Sequence, residues 1–81
     1  MPKGVPLLKI YAKENMRMIR MRKGFNLTEF AELAGYTTSS MGKIENRRNG
    51  ISANRTQKVL DVLGVEFDDI FEFISFVKDQ D

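Results

Sequence analysis

The side chains that most often carry catalysis are missing from this sequence. It contains neither cysteine nor histidine, so a thiolate or imidazole metal site and a histidine acid–base group are excluded. Carboxylates and lysines remain, but no spacing pairs them into a catalytic cluster, and no glycine-rich phosphate loop or metal-ligand spacing occurs. We therefore predict that the chain is not an enzyme and uses no cofactor or metal.

The residues able to do other chemistry are concentrated between Thr38 and Asn46. The only large apolar residues there, Met41 and Ile44, are spaced three apart, so they lie on one face of a helix. The opposite face is polar and partly basic, and it comprises Thr38, Ser39, Gly42, Lys43 and Arg47. Hydroxyl and cationic groups presented in this way can hydrogen-bond base edges and phosphates.

A preceding helix and a tight turn position this surface. Its apolar stripe has helical spacing and consists of Leu27, Phe30, Ala31 and Ala34. Asn26 and Glu29 have the spacing of a capping box at its start, Gly35 ends it, and Thr37 caps the next helix. Two short helices with a glycine turn predict a helix-turn-helix at 27–46 for the DNA major groove. The alternative is an ordinary helical hairpin without a nucleic-acid partner.

Further arginines follow the second helix. Arg47 and Arg48 are adjacent and precede an Asn-Gly turn, which suggests a loop that grips phosphate, although a solvated loop has the same composition. Ser52 is predicted to cap a fourth helix, and Gly64 to end it. Arg55 lies in the first turn of that helix, where an acidic residue suits the dipole better, so it hints at a nearby phosphate.

The charge distribution supports a polyanionic partner. Residues 1–24 carry seven basic and one acidic residue (+6), residues 25–63 five and four (+1), and residues 64–81 one and six (−5), which sums to the net charge of +2. Such asymmetry favours contact with a polyanion through one face. No apolar run approaches the length of a membrane span, and no convincing signal peptide is present, so we expect a cytoplasmic location without membrane contact.

The two ends of the chain are predicted less simply. Helix one is expected from about Leu8 to Lys23, because a helical stripe fits those residues. Residues 67–77 also fit a helical stripe, but alternation from residue 71 onward leaves a terminal strand open. Phe73 and Phe76 fall off the helical stripe, and this leftover apolar surface predicts an association site.

From about Met16 to Phe71 the chain resembles, without gaps, the XRE/Cro-type helix-turn-helix regulators, which include phage repressors and Cro proteins. The resemblance is carried by Arg20, Gly24, FAELAGYT at 30–37, Ile44-Glu45-Asn46, Ser52 and LGVEFDDIF at 63–71. It implies a compact all-α bundle of five helices, a lambda-repressor-like DNA-binding domain that usually binds operator DNA as a dimer.

The resemblance also implies roles for individual residues. Arg20 and Glu45 match a partly buried ion pair between helix one and the reading helix. The positions that face base edges in the family correspond to Thr38, Ser39, Gly42 and Lys43. The positions that contact phosphate correspond to Asn46 and the following loop. Together with the residue pattern, this gives the expected DNA-binding set Thr37, Thr38, Ser39, Gly42, Lys43, Asn46, Arg47, Arg48 and Arg55.

Three departures from the family pattern affect these expectations. Leu27 stands where the family often has a glutamine that contacts phosphate, which leucine cannot do. Arg47 stands where the family usually has glycine. The reading positions hold no glutamine, asparagine or arginine, the side chains best suited to bidentate base contacts, so Lys43 is the strongest candidate reader.

We therefore expect one all-α domain over residues 1–81, with 67–77 as a dimerisation element. The expected function is a bacterial or phage transcriptional regulator, repressor or Cro-like, that reads operator half-sites in double-stranded DNA as a homodimer. The alternative is a small modulator or antirepressor of the same fold. It would bind another repressor protein instead of DNA, through the C-terminal phenylalanines.

Overall fold

The computed structural model describes residues 4–79, and it describes the side chains of residues 7–75. In that part of the chain, five helices lie between two strands. The elements are β1 Gly4–Ala12, α1 Met16–Arg22, α2 Leu27–Ala34, α3 Thr38–Glu45, α4 Ala53–Leu63, α5 Phe67–Ile70 and β2 Phe71–Asp79. The two strands pair with each other in one antiparallel ribbon.

The prediction of a helix from Leu8 to Lys23 is wrong in its first half. Residues 8–12 belong to β1, and α1 begins only at Met16. The reason is tertiary: Ile10 and Ala12 alternate toward the core, and β2 supplies the hydrogen-bonding partner that a strand requires. The fold is therefore not all-α, but five helices with a two-stranded sheet.

The C-terminal segment, for which the sequence allows helix or strand, is both in succession. Helix α5 occupies one turn only, and β2 follows it directly. The register places Phe71 opposite Ala12 and Phe73 opposite Ile10, so these four side chains share one face of the ribbon. Phe71 is buried whereas Phe73 is 59% exposed, so the ribbon leaves the core between these two residues.

The core lies where the helices meet the end of the ribbon at which Ala12 pairs with Phe71, which we call its root. α2 packs against both α3 and α4, and α5 packs against α4 and β2. The largest fully buried side chains are Phe30, Phe71, Met16, Met41, Leu63, Ile70 and Val59. Burying side chains of this size stabilises each by about 1.5–3 kcal/mol relative to exposure, so the set fixes the relative positions of the helices.

The ends of the two central helices form as the local sequence dictates. Asn26 Oδ1 accepts the Glu29 N–H at 2.8 Å, and the Glu29 carboxylate accepts the Asn26 N–H at 3.0 Å, which completes the capping box. Gly35 ends α2 in the left-handed conformation (φ 81°). The Thr37 hydroxyl accepts the Ser40 N–H at 3.1 Å. Ser52 occupies the N-cap position of α4 but makes no side-chain capping bond.

Candidate nucleic-acid interface

The exposed polar face of α3, the predicted reading helix, is held in place by two buried side chains. Met41 and Ile44 on α3 are almost completely inaccessible to solvent. The residues on the outer side of the same helix and at its ends are exposed, and they are Thr37, Thr38, Ser39, Lys43 and Asn46. α3 is therefore fixed to the body while its hydrogen-bonding groups face outward.

Gly42 on α3 faces Leu27 of α2, and the space between them would accommodate a Cβ atom. A Cβ atom built on Gly42 would lie 3.5 Å from Leu27 Cδ2, which is ordinary van der Waals contact. Leu27 is half-buried and packs with the core. The leucine at the position of the family's frequent glutamine therefore lies beside α3, next to Gly42.

Arg20 and Glu45 form an ion pair between α1 and the end of α3. Arg20 Nε donates to Glu45 Oε2 at 2.6 Å and Nη2 donates to Oε1 at 3.3 Å, a two-point contact. Arg20 Nη1 also donates to the Phe25 carbonyl at 2.8 Å. The exposed fractions of the two side chains are only 8% and 5%, so the pair is shielded from water.

The two adjacent arginines of the loop have different environments. Arg47 turns toward the ribbon, where Nη1 donates to the Ala12 carbonyl at 2.9 Å and pairs with Glu72 Oε2 at 2.5 Å. Arg48 is exposed, and its side chain makes no hydrogen bond or ion pair within the described part of the chain. A cation that is exposed and unpartnered in this way is available to a phosphate.

Arg55 reaches back from α4 to the end of α2. Its Nη1 donates to the Gly35 carbonyl at 2.6 Å, and the guanidinium lies 4.8 Å from the centre of the Tyr36 ring. A cation at the first turn of α4 is unfavourable for that helix but favourable at the C-terminus of α2. The protein itself thus supplies a partner for Arg55, and its exposed side chain keeps other donors for a phosphate.

The two phenylalanines predicted to form an association site, Phe73 and Phe76, lie on strand β2 of the ribbon. Phe73 has its ring centre 5.3 Å from that of Phe67 and lines a cleft with Leu8 and Ile51. The backbone of Phe76 pairs with that of Leu7, and its side chain lies outside the described residues. Leu8 is 67% exposed and was not foreseen as part of this surface, because a helix through that segment hides the alternation that β1 uses.

The described residues form neither a metal-binding cluster nor a membrane-spanning helix. No group of three or more acidic side chains is arranged to hold a metal ion there. Among the helices of the same part of the chain, none is long and apolar enough to cross a bilayer.

Comparison with protein families matches residues 16–70 to the family model HTH_3, described as helix-turn-helix. The match runs from the start of α1 to the end of α5 and covers well over half of the chain. β1 and β2 lie outside it, so the ribbon is an addition to the matched body. No curated protein matches the chain significantly.

Proposed function

Because the chain belongs to the XRE-type helix-turn-helix family of DNA-binding transcription regulators, we propose that it reads operator half-sites with α3 in the major groove. The observation that carries the proposal is the geometry of α3. Two buried anchors fix the helix, and its hydroxyl and ammonium groups face outward without apolar cover. The family geometry of a helix-turn-helix places such a helix against base edges.

Within this proposal the outward residues divide into readers and phosphate contacts. Lys43 donates to guanine O6 and N7, and the hydroxyls of Thr38 and Ser39 contact either kind of base pair. Asn46 and Arg48, both exposed beside α3, contact the phosphates that fix the register. Gly42 lies among the base-facing positions, and Thr37 and Arg55 contact phosphates of the DNA backbone. Arg47, the remaining residue of the predicted set, is paired with the ribbon instead.

We further propose that two copies join through the ribbon. A two-stranded ribbon is marginally stable by itself in water, and strand edges readily accept another strand. The ribbon also exposes Leu8 and Phe73, which a twofold-related copy covers with the same residues. Phe76, the other predicted phenylalanine, is three residues from Phe73, and residues of a strand share a face only at even spacing, so the proposed interface rests on Leu8 and Phe73. Such a dimer presents two reading helices about 34 Å apart, the spacing of successive major grooves.

The DNA test is a titration of duplexes that wild-type protein selects from a random library. Lys43→Ala is expected to weaken binding and to relax the base preference at one position. Arg48→Ala is expected to weaken all sequences alike and to lower the slope of log affinity against log salt by about 0.9. Lys58→Ala is the matched control, because Lys58 is an exposed lysine on α4 outside the reading helix and its loop. Equal effects of all three substitutions would contradict the proposed surface.

The exposed apolar residues of the ribbon favour a second candidate function. The same Leu8 and Phe73 surface suits capture of another repressor protein, as in a small modulator or antirepressor. This alternative predicts a monomer that selects no DNA sequence and binds a repressor in a manner sensitive to Phe73→Ser. A wild-type dimer with sequence-selective DNA binding would exclude it.

A further inference from the structure

Arg47 has an unusual backbone conformation. It is the residue directly after the C-cap of α3, and its φ of 61° is left-handed. Glycine adopts that conformation without a Cβ penalty, whereas other residues need surrounding contacts to hold it. Among the described residues, Arg47 is the only non-glycine with positive φ. Contacts of the Arg47 side chain must therefore compensate for a backbone conformation that glycine would adopt more readily.

The contacts of the Arg47 side chain supply the reason. One guanidinium joins both strands at the root of the ribbon, through the Ala12 carbonyl at the end of β1 and the Glu72 carboxylate near the start of β2. The backbone N–H of Arg47 meanwhile donates to the Ile44 carbonyl of α3 at 3.1 Å. The left-handed turn directs this side chain from the end of the reading helix to the ribbon.

A second contact links the same loop to β1. The Ile51 N–H donates to the Ile10 carbonyl at 2.8 Å, and the two residues form a β-bridge. Gly50 permits this approach, because a Cβ at that position would lie 2.8 Å from the same carbonyl oxygen. Residues 47–51 are thus attached to the ribbon at both ends, immediately after α3.

We infer that Arg47 is a positioning residue that sets the angle between the ribbon and the reading helix. Together with Glu72 and the Ala12 carbonyl, Arg47 forms what we call the ribbon clamp. If the ribbon joins two copies, as proposed above, the clamp determines how far apart the two α3 helices stand, and so which half-site spacing the dimer reads. The inference rests on that proposed function for its consequence on DNA, but not for the clamp itself.

The clamp is suited to set geometry more than to add stability. The exposed fractions of the Arg47 and Glu72 side chains are 33% and 38%, so water and salt screen their attraction. Two acceptors on different strands nevertheless restrict the guanidinium in direction. Its removal is therefore expected to loosen the ribbon without unfolding the body.

The first test uses no DNA and measures a distance that depends on the angle between the ribbon and α3. The sequence has no cysteine, so the exposed Ser39 on α3 and Ser75 on β2 can be changed to cysteine and spin-labelled selectively. Pulsed electron paramagnetic resonance then gives the distance between the two labels. The labelled protein is diluted with unlabelled protein, so that only distances within one chain are measured. We expect a narrow distribution for the parent and a clearly broader one for Glu72→Gln and for Arg47→Gly.

Controls separate loss of the clamp from loss of the fold. Glu32→Gln removes an exposed carboxylate of α2, away from the clamp, and should leave the distance distribution unchanged. Arg47→Gly relieves the left-handed backbone while it removes the clamp, so its melting temperature should stay close to that of the parent. Distributions as narrow as the parent's in both clamp variants would overturn the inference.

The second test uses the selected duplexes, with one half-site or with two half-sites at varied spacing. Clamp variants should bind a single half-site within about twofold of wild type and lose the preference among spacings, because a loosened ribbon no longer preorganises the pair. A weaker single half-site together with a salt slope lower by about 0.9 would instead make Arg47 a phosphate contact and overturn its positioning role. A wild type that is monomeric or selects no duplex would refute the proposed function, and the label distances would still decide the clamp.

Discussion

Replacing Glu45 by glutamine tests how α1 is held to the end of the reading helix. The change keeps the shape of the side chain but removes the charge that Arg20 Nε contacts at 2.6 Å. With only 8% of its side chain exposed, Arg20 is then left as a charge that is poorly solvated. Removing one partner of such a pair costs about 3–5 kcal/mol. Arg20 keeps its bond to the Phe25 carbonyl, so we expect the lower end, about 3 kcal/mol.

That loss is large for a protein of this size. At about 0.05–0.15 kcal/mol per residue, the 81 residues give a total stability of about 4–12 kcal/mol. A loss of about 3 kcal/mol should lower the melting temperature by roughly 12–24 °C, since about 1 kcal/mol corresponds to 4–8 °C in a domain of this length. Urea melts followed by circular dichroism would measure the change in the free energy of unfolding.

The interaction itself is isolated by a double-mutant cycle. Arg20→Met removes the guanidinium and keeps an apolar side chain that fits the buried site, and the double variant removes both charges. We expect the double variant to lose clearly less stability than the sum of the single variants, because no unpaired charge remains. Additive losses would show that the ion pair does not couple the two residues, and would refute this account of the α1–α3 contact.

Three further predictions concern other contacts. Gly50→Ala should lower the free energy of unfolding by about 1–3 kcal/mol, because the new Cβ meets the Ile10 carbonyl oxygen at 2.8 Å. Gly42→Ala makes only ordinary contact at 3.5 Å and should raise the free energy of unfolding by about 0.5–1 kcal/mol. Thermal melts that rank the two variants the other way would contradict this description of the packing. Arg55→Ala should lower the free energy of unfolding by about 1 kcal/mol through loss of its bond to the Gly35 carbonyl at the C-cap of α2, and full stability in Arg55→Lys would show that the planar guanidinium is not needed. Phe73→Ser should convert a dimer to monomer in sedimentation equilibrium without lowering the melting temperature of the body, since the side chain is 59% exposed, and a dimer that persists would place the interface elsewhere.

The central motif was predictable because its signals are local. The capping box of Asn26 and Glu29, the left-handed Gly35 and the cap at Thr37 each act within about one helical turn. The spacing of Met41 and Ile44 needs only the helical period to place both in the core. Such features are independent of distant residues, so the helix-turn-helix forms where the sequence predicts it.

The ribbon was not predictable in the same way. Residues 8–12 fit a helical stripe as well as an alternating one, and propensity alone does not separate the two. The structure makes them a strand because β2, from the other end of the sequence, pairs with them along their whole length. The structural role of Arg55 could not be predicted for a similar reason, since its acceptor, the Gly35 carbonyl, lies at the C-cap of another helix, α2.

The loop after α3 shows most clearly what a linear pattern leaves out. Arg47 and Arg48 have the same chemistry and adjacent positions, so the sequence assigns both to phosphate. One backbone angle separates them: the left-handed conformation at Arg47 turns its side chain inward to the ribbon, while Arg48 stays exposed. Since glycine is the usual residue at such a turn, a side chain that persists there is best explained by the partner it reaches. Here that partner is the ribbon, to which it connects the reading helix.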